Sequence, residues 1–137
     1  MNLAEPAWWG AVGILLTVAT IVVLRLAGPR AVRFEGPLLA LFLAGMPVIY
    51  AADALRHGAG PRWLAIEIAA VPLFVTFAVL GVVRSPWWLV AGIAGHGLLW
   101  DSWHQGFDYV PEWYVDSCLH VDVCAAAWAW VRMRRWR

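Results

Sequence analysis

The sequence contains no lysine, and only 14% of its 137 residues are charged. A water-soluble domain carries about a quarter of its residues as charges. That shortfall excludes a solvated globule and a charge-rich disordered tail. Ten arginines against nine acids leave a net charge of +1, which excludes the polycationic surface that a phosphate backbone requires and hence a nucleic-acid partner. Cysteine is confined to Cys118 and Cys124. Six positions apart on one expected helix, the two point in different directions, so no disulfide framework is available. Internal repeats and low-complexity tracts are also missing. The segment Met1 to Pro6 lacks the basic region of a signal peptide and carries Glu5, so the first apolar stretch is expected to be retained rather than cleaved.

What is abundant is apolar: 63% of the residues are hydrophobic and eleven are tryptophan. A membrane-crossing helix needs about 20 mostly apolar residues. Segments meeting that condition, separated by Gly28-Pro29, Gly58 to Pro61, Ser85-Pro86 and Gly106 to Pro111, predict one all-α integral-membrane domain of five transmembrane helices. The expected spans cover 7–26, 36–57, 63–83, 86–105 and 112–132. Arg25, Arg30, Arg33, Arg84, Arg132, Arg134, Arg135 and Arg137 would share one side, and only Arg56 and Arg62 the other. The positive-inside bias therefore places the N-terminus outside and the C-terminus inside, as in a multi-pass protein of the bacterial plasma membrane. Trp8, Trp9, Trp63, Trp100, Trp103 and Trp113 would mark the outer boundary. Trp87, Trp88, Trp128, Trp130 and Trp136 would mark the inner one.

The ionisable residues inside these spans are segregated by depth. Asp53, Glu67, Asp101, His104 and Asp116 would lie roughly 5–8 Å below the outer surface, and His96, His120 and Asp122 roughly 12–15 Å below it. The inner half is expected to hold no acid or histidine. A charge at mid-bilayer costs about 2.5–3.5 kcal/mol on insertion scales, so these side chains are expected to converge on one polar cavity in the outer half. His96, Trp100 and His104 form one helical stripe, and Glu112, Asp116 and His120 another; Asp101 and His104, three apart, could reach one centre.

Imidazole and carboxylate ligands on facing helices are how bundles hold metals. His96, His104, His120 and Asp122 are the expected ligands of a divalent metal, zinc or iron. Asp101 and Asp116 are expected as ligands or supporting carboxylates, Glu67 as general base, and Trp100 and Trp103 as cofactor contacts. The substrate would be a lipophilic molecule from the outer leaflet. Other readings remain open. One is a metal-free isomerase or cyclase of isoprenoid or sterol-like lipids, with Glu67, Asp101 and Asp116 as proton donors. Others are haem ligation by His96 and His120, or a structural bundle in which the polar groups fix helix register. Self-association into a homo-oligomer is also open.

The run His96-Gly97-Leu98-Leu99-Trp100-Asp101-Ser102-Trp103-His104, followed by Pro111-Glu112-Trp113-Tyr114, Cys118 and Asp122, resembles a family of small bacterial integral-membrane proteins of unknown function. The resemblance covers about residues 63–131 and includes Glu67. It departs at Gln105 and Val115, where the family carries His and Pro. It implies no activity and points to His96, Asp101, His104 and Asp122.

Overall fold

The computed structural model describes residues 4–28, 31 and 33–133, and side chains within that set from residue 11 onward. Arg30, Arg134, Arg135, Arg137 and Trp136, used above to orient the chain, lie outside the described residues, as do the side chains of Trp8 and Trp9. The described residues are all-helical, with no strand. The helices are α1 (Ala4–Leu26), α2 (Glu35–Arg56), α3 (Pro61–Val83), α4 (Trp87–Gly95) and α5 (Glu112–Arg132). Helix α4 continues without a break through a π-helical segment, His96–Asp101, and one last α-turn, Ser102–His104. Of these, α2 and α3 are long and apolar enough to cross a membrane; the apolar stretch of α1, Ala11–Leu26, is shorter.

Local chemistry explains the boundaries. Gly60, at φ 84°, takes a conformation that side-chain-bearing residues avoid, and Pro61 follows at the first helical position, where its missing N–H costs nothing. Pro47 and Pro72 lie inside α2 and α3, and both helices run through them. In α3 the buried residues are Glu67, Ala70, Phe74, Ala78 and Gly81. Their spacing of three or four is a single stripe facing the interior, and Glu67 belongs to it.

Helix α2 packs chiefly on α3, α1 on α5, and α4 with its π segment between α3 and α5. Leu43, Leu89, Ile93, Phe74 and small alanines make the main apolar core. Glycine sets the closest approaches. A Cβ on Gly13 would stand 2.6 Å from the Ser117 carbonyl oxygen, and one on Gly92 would stand 2.5 Å from Leu43 Cδ2. Gly13 lets α1 meet the backbone of α5, and Gly92 leaves room for the Leu43 and Phe77 side chains.

One charged cluster corrects the expectation that the end of the bundle opposite Asp101 and His104 holds no acid. Glu35, at the start of α2, is 1% exposed. Arg132 Nε, at the end of α5, donates to its Oε2 at 2.9 Å, and Arg25 Nη2, at the end of α1, lies 3.7 Å from its Oε1. The Arg25 guanidinium also sits 4.7 Å from the Trp128 ring centroid. Glu35 lies just before the span expected over 36–57, and in three dimensions it ties three helix ends together.

Removing one partner of a buried pair leaves a charge without compensation. Arg132→Met is expected to lower unfolding stability by about 3 kcal/mol, and Arg132→Met combined with Glu35→Met by much less. Denaturant unfolding in detergent micelles, followed by far-UV circular dichroism, measures both.

Candidate functional site

The sequence places His96 and Asp101 five residues apart. On an α-helix, positions five apart stand about 140° from each other around the axis. In this chain His96–Asp101 is π-helical, and the wider turn stacks residue i over residue i+5. The two side chains therefore share a face. His96 Nδ1 lies 3.2 Å from Asp101 Oδ1 and 2.9 Å from Asp122 Oδ2 of α5. All three residues are fully buried.

The facing helix approaches this closely because residue 97 has no side chain. A Cβ on Gly97 would stand 2.6 Å from Asp122 Cβ. The Tyr50 hydroxyl, from α2, donates to Asp101 Oδ1 at 2.7 Å. The rings of Tyr50 and Phe74 pack on the His96 imidazole at 5.6 and 4.8 Å between centroids. His96, Asp101 and Asp122 thus form a dry group that could hold a metal ion, with one potential ligand atom from each within 4.8 Å of the others. The donor set also fits such an ion chemically. His96 Nε2, Asp101 Oδ2 and Asp122 Oδ1 are buried and have no hydrogen-bond partner, whereas buried polar atoms are nearly always satisfied.

A second polar group stands beside the first, on the other side of Tyr50, whose ring lies 4.6 Å from that of His104. Glu67 Oε1 is 2.6 Å from His104 Nε2 and accepts the Tyr109 hydroxyl at 2.7 Å. His104 Nδ1 lies 2.7 Å from the Trp100 carbonyl oxygen, an acceptor only, so Nδ1 carries a proton. A single further proton then lies between Nε2 and Glu67. Both imidazole nitrogens are engaged, and the pair pins the end of the α4 extension to α3. Tyr109, in the loop before α5, has its pKa raised above the ordinary tyrosine value by burial and by its bond to Glu67, so it stays a donor. Above it a cavity of about 320 Å³ is lined by His57, Trp63, Phe107, Asp108 and Tyr109 among others.

The residues singled out from sequence are thereby distributed. His96, Asp101 and Asp122 come together. The pairing expected from spacing, Asp101 with His104, does not form: the π segment turns Asp101 toward His96, and His104 meets Glu67 instead. Glu67 contacts an imidazole and a phenol rather than the His96 group. His120 is half-buried and its Nδ1 bonds within its own helix, 2.7 Å from the Asp116 carbonyl oxygen. Neither His120 nor the half-buried Asp116 belongs to the group around His96. Trp100 and Trp103 pack on each other at 5.4 Å, and on His104 at 5.3 and 5.1 Å.

Tyr50 and Tyr109 were not among the residues singled out, whereas Gly97 is one of the small residues whose spacing lets the last helix approach closely. Tyr50 and Tyr109 read most simply as interfacial tyrosines, although Tyr50 continues the buried series Leu43, Met46, Pro47, Tyr50 and Ala54 of α2, a periodicity that points it inward. Comparison of the chain with family models, with curated proteins and with solved structures finds no match.

Two neighbouring glycines test the geometry. A Cβ on Gly95 would have nothing within 4 Å. Gly95→Ala is expected to be neutral or to stabilise by up to about 1 kcal/mol, through helix propensity. Gly97→Ala must push Asp122 away and is expected to cost about 1–3 kcal/mol. Unfolding midpoints of the two variants, compared in one detergent, check the contrast.

Proposed function

We propose that this chain is a five-span enzyme of the bacterial plasma membrane, N-terminus outside, in which His96, Asp101 and Asp122 hold a divalent metal that acts on a lipophilic substrate. The observation that carries the reading is the convergence of one imidazole and two carboxylates in a site closed to water, with a lone-pair atom on each left without a partner. Charge balance supports it. Two carboxylates and an imidazolium sum to −1, whereas two carboxylates, a neutral imidazole and a divalent cation sum to zero. A net charge in a low-dielectric interior is strongly disfavoured.

Three protein ligands leave a coordination position open, and a zinc or iron ion so held would supply Lewis-acid activation of a bound oxygen. The chain's own residues do the rest. The Tyr50 hydroxyl fixes the orientation of Asp101. Gly97 sets the distance to Asp122. Phe74 and Tyr50 exclude water around His96. The Glu67–His104 pair anchors the helix end that carries Asp101. Span number and orientation rest on the arginine asymmetry and on the alternation of helix directions. The C-termini of α1 and α5 meet the N-terminus of α2 at Glu35, while Tyr50, Glu67, Asp101 and His104 gather toward the other end.

A second reading rests on one observation: Nδ1 of His96 lies between two carboxylates, at 2.9 and 3.2 Å. With one carboxyl protonated, the same trio balances its charge without a metal and could deliver a proton to an isoprenoid or sterol-like double bond.

Elemental analysis of protein purified without chelator separates the two. About one zinc or iron per chain is expected, with most of it lost in His96→Ala and Asp122→Asn and retained in His120→Gln. Tyr50→Phe is expected to weaken metal binding by roughly 10–100-fold. Folded, active protein free of metal would refute the metal reading in favour of the proton-donor one.

A further inference from the structure

Helix α1 leans on α5 and α2 on α3, which leaves the flank between α1 and α2 open above α5. Cavities of about 460 and 690 Å³ occupy that flank and share Leu16, Leu38, Phe42 and Val121, so they form one continuous groove. Along α1 it extends from Val12 to Leu24. At 1.5 Å per residue that is about 18 Å, slightly more than one leaflet of a hydrocarbon core about 30 Å thick.

The lining fixes what could lie there. The hydroxyls of Thr17 and Thr20 are spent on the carbonyls of Gly13 and Leu16, at 3.0 and 2.9 Å, and so offer no donor to an occupant. Glu35, at one end, is clamped by Arg132 and Arg25. The opposite end differs. There the floor is Tyr114 and Cys118, a phenol and a thiol. Directly behind them is the candidate metal group: Cys118 is one helical turn from Asp122, and the Tyr114 ring lies 5.7 Å from Tyr50, which binds Asp101.

From this we infer that the α1–α2 groove is the seat of the substrate's hydrocarbon chain: a single-chain amphiphile from the lipid phase lies along Leu38, Phe42 and Val121 with its polar end at Tyr114 and Cys118. The inference rests on the proposed site for its reactive end, but the groove can be tested by itself. Gly45 lines it, and a Cβ there would meet nothing within 4 Å. Gly45→Phe therefore starts from open space and sends its ring into the groove, and Gly45→Ala serves as the mild control.

The probe is palmitic acid carrying a mid-chain diazirine, photolysed with the full-length protein in phosphatidylcholine vesicles, with adducts mapped by mass spectrometry. Adducts at Phe42, Met46 and Val121 are expected to exceed those on the exposed face of α3, at Leu73 and Val79, by roughly tenfold. The excess should survive Gly45→Ala and vanish in Gly45→Phe. Equal labelling of groove and α3 face in the unsubstituted protein would overturn the inference whether or not Gly45→Phe folds. So would an excess that Gly45→Phe leaves intact, or cross-links showing the groove filled by a second copy of this chain. Metal content measured on the same samples keeps the two proposals apart: labelling without metal removes the metal reading, and metal without labelling removes the groove.

Discussion

Burying charge in an apolar bundle is the constraint on which the rest depends. Asp101, Asp122 and Glu67 have no access to solvent, and each is tolerable only because an imidazole or a phenol meets it within 3 Å. Those contacts span α2, the α4 extension, the loop after it and α5, and they pull α3 in through Glu67. The helices cannot slide or rotate independently without breaking one of them. Buried networks of this kind demand a unique arrangement more strongly than apolar packing does, because a half-satisfied network is worse than none.

Two local departures from regular structure make that network possible. The π segment spends a widened turn to bring His96 and Asp101 onto one face, and Gly97 gives up its side chain so that Asp122 can reach them. Neither improves the helix as a helix. A π turn is rare and found mostly at functional sites, and glycine inside a helix is destabilising by up to about 1 kcal/mol relative to alanine. Their coincidence at one point, facing two carboxylates, is hard to account for by packing alone, since Leu and Ala would fill the same volume more stably.

The opposite end of the bundle uses the same physics for a different purpose. Glu35 is buried as deeply as Asp101, but guanidinium groups from two helix ends surround it. It is a compensated ion cluster that joins termini. The His96 group is compensated only within itself, by one imidazole between two carboxylates. The guanidinium partners, rather than burial, separate the Glu35 fastening from the candidate site.

Much of this was legible in the amino-acid order. Turn residues at Gly58 to Pro61 and Gly106 to Pro111 mark helix boundaries, the paucity of charge and the apolar runs give an all-helical chain with segments able to cross a membrane, and the crowding of acids and histidines singles out the stretches that carry the His96 and Glu67 groups. Those properties are local: they follow from composition, periodicity and the conformational limits of glycine and proline. Partner choice was not local. Ideal 3.6-residue periodicity pairs Asp101 with His104, and only a π turn, stabilised by what α5 and α2 present to it, pairs Asp101 with His96 instead. Tyr50 donates to a residue 51 positions away, and Glu35 meets Arg132 across 97. Contacts at such separations depend on how helices are placed against one another, and that placement is set by the packing of the whole chain.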